Sequence, residues 1–93
     1  MILTRINAMG LRYQLHSIEN AAYGTRTSIL LVGTGKKIIV DAPIEVISQA
    51  WYDWMNGKFI QDAFHMLNAD QREFLMTGIT SEEWNEIFSE EEN

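Results

Sequence analysis

Apolar positions recur with two different periods along this chain, and the change near residue 47 divides it. Residues 11–17 alternate, with Leu11, Tyr13 and Leu15 on one side and Arg12, Gln14 and His16 on the other. A period of two predicts a half-buried strand with one wet side. Residues 27–32 read TSILLV, a β-branched-rich apolar run that predicts a central strand covered on both faces. Gly33, Thr34 and Gly35 mark a turn, and residues 36–40 return as a strand, so 27–40 is the clearest hairpin signal. Ile2, Leu3 and Ile6 predict an edge strand, followed by a turn at Met9-Gly10. Residues 18–25 hold no sustained period and read as a loop or a wide hairpin connection.

Pro43 cannot donate a backbone hydrogen bond, so Asp41-Ala42-Pro43 interrupts the ladder. Residues 44–46 then read best as a brief edge strand, with Ser48 capping a helix. The alternative is a helix that begins at Pro43 with Asp41 as its cap. Trp51, Trp54 and Met55 sit at i, i+3 and i+4, which predicts a helix over 49–55 that ends at Asn56-Gly57. Ile60, Ala63, Phe64 and Leu67 repeat the helical spacing. Asn68 and Gln71 form the signature of a capping box, and Gly78 stands where a left-handed residue closes a helix. Thr80 opens the last helix with Glu83 at its third position, and Trp84, Ile87 and Phe88 mark its apolar face.

Strands first and helices second argue for an α+β fold: a small antiparallel sheet of three or four strands, then three or four short helices packed on one face. One domain is expected, mainly strands over 1–46 and mainly helices over 47–89, with a solvated acidic tail at 90–93. Ile29, Leu31, Val40, Ile60, Phe64, Phe74 and Phe88 are the predicted core. A chain of 93 residues buries roughly 60–65% of its unfolded surface, and ten aromatics supply enough apolar area for one modest core.

Charge is unevenly spread. Residues 1–46 carry a net +2, whereas 47–93 set ten acids against Lys58 and Arg72 for a net −8. An acidic surface repels phosphate, which disfavours direct nucleic-acid binding by the helical part and favours a basic protein partner. The same charge also serves solubility. There is no cysteine, so disulfides, thiolate zinc sites and a cysteine nucleophile are excluded. No apolar run approaches the roughly 18 residues of a membrane span, and the first residues lack a signal-peptide pattern. A soluble, cytosolic protein is expected.

Catalytic groupings do not emerge. Gly33-Thr34-Gly35-Lys36-Lys37 resembles a phosphate cradle only superficially, because a strand rather than a helix comes after it. His16 and His65 have no partners at metal-ligand spacing. Asp62 and Asp70 are a weak acid pair without a nucleophile, and Asp70 reads as first-turn helix stabilisation. Gln61 reads as a structural amide beside Ile60 and Ala63. Glu82, Glu83 and Glu86 are explained by the positive end of a helix dipole before any cation is invoked. No cofactor and no metal are therefore expected. Trp51, Trp54 and Trp84 exceed what a small core needs, and indoles are enriched at binding hot spots.

The wording W-x-x-W-x-x-G-x-x-I-Q-x-A-F, then R-E-F-L-M-T-G-I-T-S-E-E-W, resembles a family of short tailed-phage accessory proteins of unknown function. The residues that carry it are Trp51, Trp54, Gly57, Ile60, Gln61, Ala63, Phe64, Leu67, Arg72, Glu73, Phe74, Leu75, Gly78, Ile79, Trp84 and Phe88. They lie between Ser48 and Phe88, a little under half of the chain. The resemblance implies a setting, the cytoplasm of an infected bacterium, and no activity. The expectation is a non-enzymatic protein that binds and modulates a host or defence protein through Glu82, Glu83, Trp84, Glu86, Trp51 and Trp54. The alternative is a homo-oligomeric structural component of a phage particle.

Overall fold

Four antiparallel strands lie side by side in chain order: β1 (Ile2–Ile6), β2 (Arg12–Asn20), β3 (Gly24–Leu31) and β4 (Lys37–Val40). Four helices come next, α1 (Ile44–Met55), α2 (Ile60–Ala63), α3 (Ala69–Thr77) and α4 (Ser81–Glu91). This computed structural model describes residues 2–20, 22 and 24–91, and their side chains except those of 20 and 88–91. The α+β architecture is the one the change of period predicts.

Strand pairing places alternate residues on the helix-covered face. Tyr13 stands opposite Leu31, Leu15 opposite Ile29, and Thr27 opposite Val40. All six are buried. Thr27 is tolerated there because its hydroxyl donates to the Ala42 carbonyl at 2.7 Å. Across this face α1 lays Ile44, Ile47, Ala50 and Trp51, one stripe at helical spacing. Trp51 is the largest buried side chain. It meets Tyr13 at 5.3 Å between ring centroids, Phe64 at 5.9 Å and Trp54 at 5.4 Å, and Tyr13 in turn meets Phe74 at 5.7 Å. Burying each such ring contributes about 1.5–3 kcal/mol, and tilted or edge-on pairing adds to it.

Several expectations are corrected. The 18–25 stretch is not mostly loop: β2 runs on to Asn20 and β3 begins at Gly24, and the pair closes as one long hairpin. Polar residues in both strands obscured it, because their side chains do not alternate in hydrophobicity. The run TSILLV is central but covered on one face only, with Ile29 and Leu31 buried while Leu30 is half-buried and Val32 exposed. Every helix packs on the same side, and no second layer of described residues covers the other. Residues 44–46 are the first turn of α1, not an edge strand. Pro43, at φ −65°, occupies its N-cap, and Ser48 lies inside the helix. Burial of Ile44 and Ile47 against the sheet overrides the weak helix propensity of their branched side chains.

The helix expected through Leu67 stops after one turn, at Ala63, yet Phe64 and Leu67 remain buried. Arg72 makes this possible, donating from Nη1 to the Leu67 carbonyl at 2.8 Å. Ile60 proves half-buried at the edge of the core. Ile87 is 41% exposed, so the face of α4 that carries it is not buried there. The side chain of Phe88 lies outside the described residues. Residues 90 and 91, expected in the tail, continue α4, since no glycine or proline interrupts them. Residues 92 and 93 lie outside the described set.

Candidate functional site

Local chemistry first decides where α3 and α4 begin. The Asn68 side chain accepts from the Gln71 N–H at 2.8 Å while Gln71 accepts from the Asn68 N–H at 3.0 Å, a complete capping box. Gly78 ends α3 at φ 76°, and its N–H donates to the Phe74 carbonyl. A Cβ there would stand 2.7 Å from Leu31 Cδ2, so the glycine also lets the chain pass close over β3. Thr80 then starts α4: its N–H donates to Glu83 Oε1 at 3.0 Å, and the Glu83 N–H donates to Thr80 Oγ1 at 3.3 Å. Both helix starts are thereby held beside β4.

Lys36 locks that arrangement. Its Nζ donates to the Gly78 carbonyl at 3.0 Å and to both Glu83 oxygens at 3.1 and 3.2 Å. Hydrogen bonding from the Thr80 backbone, and then from Lys36, holds the Glu83 carboxyl below the usual carboxylate range. Between β4 and the first turns of α3 and α4 lies an open groove of about 660 Å³. Lys37 and Ile39 form its strand side, and Asp70, Thr80 and Glu82 its helix side. Asp70 and Glu82 are exposed and add negative charge in front of two helix N-termini.

The residues expected to bind a partner are thus separated. Glu82 lines the groove; Glu83 is engaged by Thr80 and Lys36; Glu86 is exposed one turn further along α4. Trp84 is half-buried in a shallow cleft between α3 and α4 with Asp70 and Glu73. Trp51 belongs to the core, not to a contact surface, and its indole N–H donates to the Ile6 carbonyl at 3.2 Å. Trp54 is half-buried, edge-on to Trp51 and Phe64. The two indoles of α1 were drawn inward by the same i, i+3 spacing that marked the helix. Lys37, Ile39 and Asp70 went unnoticed as a group, because only the fold brings the strand edge to the helix starts. Residues 36–40, KKIIV, carry no alternation that would have marked which of them face the groove.

His16 and His65 are both exposed, on the outer sheet face and after α2 respectively. Among the described residues no three His, Asp or Glu side chains are placed to hold a metal ion. No buried side-chain nitrogen or oxygen among them lacks a hydrogen-bond partner. No helix of the described residues is long and apolar enough to cross a membrane. Searches of protein-family models, curated proteins and solved structures returned no match for this chain.

Proposed function

We propose that this chain is a non-enzymatic protein-binding module, of the tailed-phage accessory kind that residues 48–88 resemble. It acts in the cytoplasm of an infected bacterium by covering a basic surface on a host or defence protein. The observation that carries this reading is the open groove beside β4, with Asp70 and Glu82 exposed along one wall. Opposite charge on a partner would speed encounter and set its orientation, while apolar contact would slow release. The same acids disfavour a nucleic-acid ligand at the groove.

The test is recovery of partners from infected cells with the tagged chain, in parallel with a variant carrying Asp70→Asn, Glu82→Gln and Glu86→Gln. Supporting the reading requires one host or defence protein that is retained by the parent, lost by the variant, and bound again when both proteins are pure.

A second reading, a homo-oligomeric component of the particle, draws on the outer sheet face, where Ile2 is 60%, Ile6 50% and Ile39 45% exposed. These residues stand at the two opposite edges of that face, where each would meet a second copy added at its own edge. High copy number in purified particles would favour it over the first.

A further inference from the structure

The two edges of the sheet are finished differently. Along β1, the Thr4 carbonyl accepts from Arg5 Nη1 at 2.9 Å and the Ile6 carbonyl accepts from the Trp51 indole at 3.2 Å. Arg5 is itself fixed, donating from Nη2 to Ser48 Oγ at 2.7 Å. Two outward carbonyls of that edge are thus taken up by side chains, one of the ways natural sheets blunt an edge.

On the other edge, the Leu31 N–H donates to the Lys36 carbonyl at 2.9 Å, which sets the phase of the ladder. Antiparallel strands exchange bonds at every second residue, so Ile38 and Val40 bond to β3 while the N–H and C=O of Lys37 and Ile39 point away from it. Among the described residues nothing pairs with those groups. They open into the groove of about 660 Å³. An edge with unpaired donors and acceptors facing a groove is the geometry that accepts an added strand.

We infer that β4 is a strand-addition site, and that its occupant is an extended basic segment of a partner protein, hydrogen-bonded to the backbone of Lys37 and Ile39. This rests on the acidic-groove reading and specifies how the partner enters. Side chains of an added strand alternate between two faces. One set faces the helix starts, where Asp70 and Glu82 select lysine or arginine; the other set joins the outer face beside Lys37 and Ile39, where uncharged side chains fit. Charge decides among occupants: Lys36 is engaged by Glu83, and the exposed carboxylates of Asp70 and Glu82 outnumber the one remaining cation of the groove lining, Lys37, so an acidic strand would meet a net like charge.

The experiment uses the full chain, isotope-labelled, with a short blocked peptide that alternates lysine and valine. Its companions are the glutamate–valine counterpart and a lysine–valine peptide N-methylated at every second residue. Amide exchange and shift changes are read at Lys37 and Ile39. Binding of the first peptide should slow exchange at both amides, and N-methylation on the pairing edge should weaken affinity by about tenfold, the loss of one or two backbone hydrogen bonds. The glutamate peptide should leave the groove unchanged. Shifts at Asp70 and Glu82 without protection at Lys37 and Ile39, and indifferent to N-methylation, would overturn strand addition while leaving the acidic groove as a binding surface. No response of the groove to the lysine peptide would overturn both. If the chain alone sediments as a dimer with both amides already protected, the edge belongs to a second copy and the inference fails.

Discussion

The phenol of Tyr13 donates to the carbonyl of Phe74 at 2.6 Å, tying β2 to the last turn of α3 through the middle of the core. The same carbonyl accepts the Gly78 N–H at 2.9 Å, so one oxygen serves both the helix end and the sheet. Tyr13→Phe should cost about 0.5–1.5 kcal/mol, measured by denaturant unfolding. Burial pushes the phenol pKa up from 10.0 to about 12. The folded chain therefore holds this proton more tightly than the unfolded one, and its contribution is complete below pH 10. Stability should fall as pH rises from 10 toward 12, and the fall should be shallower in Tyr13→Phe.

Asn7 is the other long-range tie. Its Nδ2 donates to the Leu75 and Met76 carbonyls at 2.9 and 3.1 Å, while its Oδ1 accepts from the N–H groups of Met9 and Leu11. It thus shapes the turn between β1 and β2 and docks it on the end of α3. Asn7→Ala leaves these groups without their partner in a site only 5% exposed. A loss of about 1–3 kcal/mol is expected, read as a lower denaturation midpoint at unchanged slope.

These ties show what sequence reading could reach. The Leu11–Tyr13–Leu15 alternation, the Asn68–Gln71 box and the Gly78 stop are set within a few residues, and each stands as expected. The docking role of Asn7 gave no such signal, because its carbonyl partners on α3 lie 68 and 69 residues away. Nor could the branched residues of α1 announce a helix, since their burial against the sheet decides it. The groove was half legible: Glu82 stood out by charge, whereas Lys37 and Ile39 become relevant only when an unpaired edge faces it.

The helix ends offer a local check. Asn68→Ala should cost about 0.5–2 kcal/mol through loss of the cap. Gly78→Ala should cost more than about 1 kcal/mol, since alanine resists φ 76° and its Cβ displaces Leu31. In the core, Phe64→Ala should cost about 3–5 kcal/mol. Thermal unfolding of the three variants should rank them in that order of increasing loss.

Glu83 should behave as a structural acid rather than a contact residue. Its carboxyl is held below its ordinary 4.5 by the Thr80 backbone and Lys36, so the contribution is present above that pH and lost as pH falls through the lowered value. Glu83→Gln should lower the melting temperature at neutral pH and reduce this acid-side loss, whereas Glu82→Gln should leave both nearly unchanged. Melting curves across the acid range distinguish the two.

The central claim is that Asp70, Glu82 and Glu86 draw a basic partner to the groove. Exposed charges are largely screened beyond about 8 Å at physiological salt, so they should act on encounter more than on residence. Association kinetics with the purified partner, at low and at physiological ionic strength, test this most directly. The Asp70→Asn, Glu82→Gln, Glu86→Gln variant should associate roughly tenfold more slowly at low salt, with a flattened salt dependence and a similar dissociation rate. A variant that associates as fast as the parent at low salt would contradict the claim.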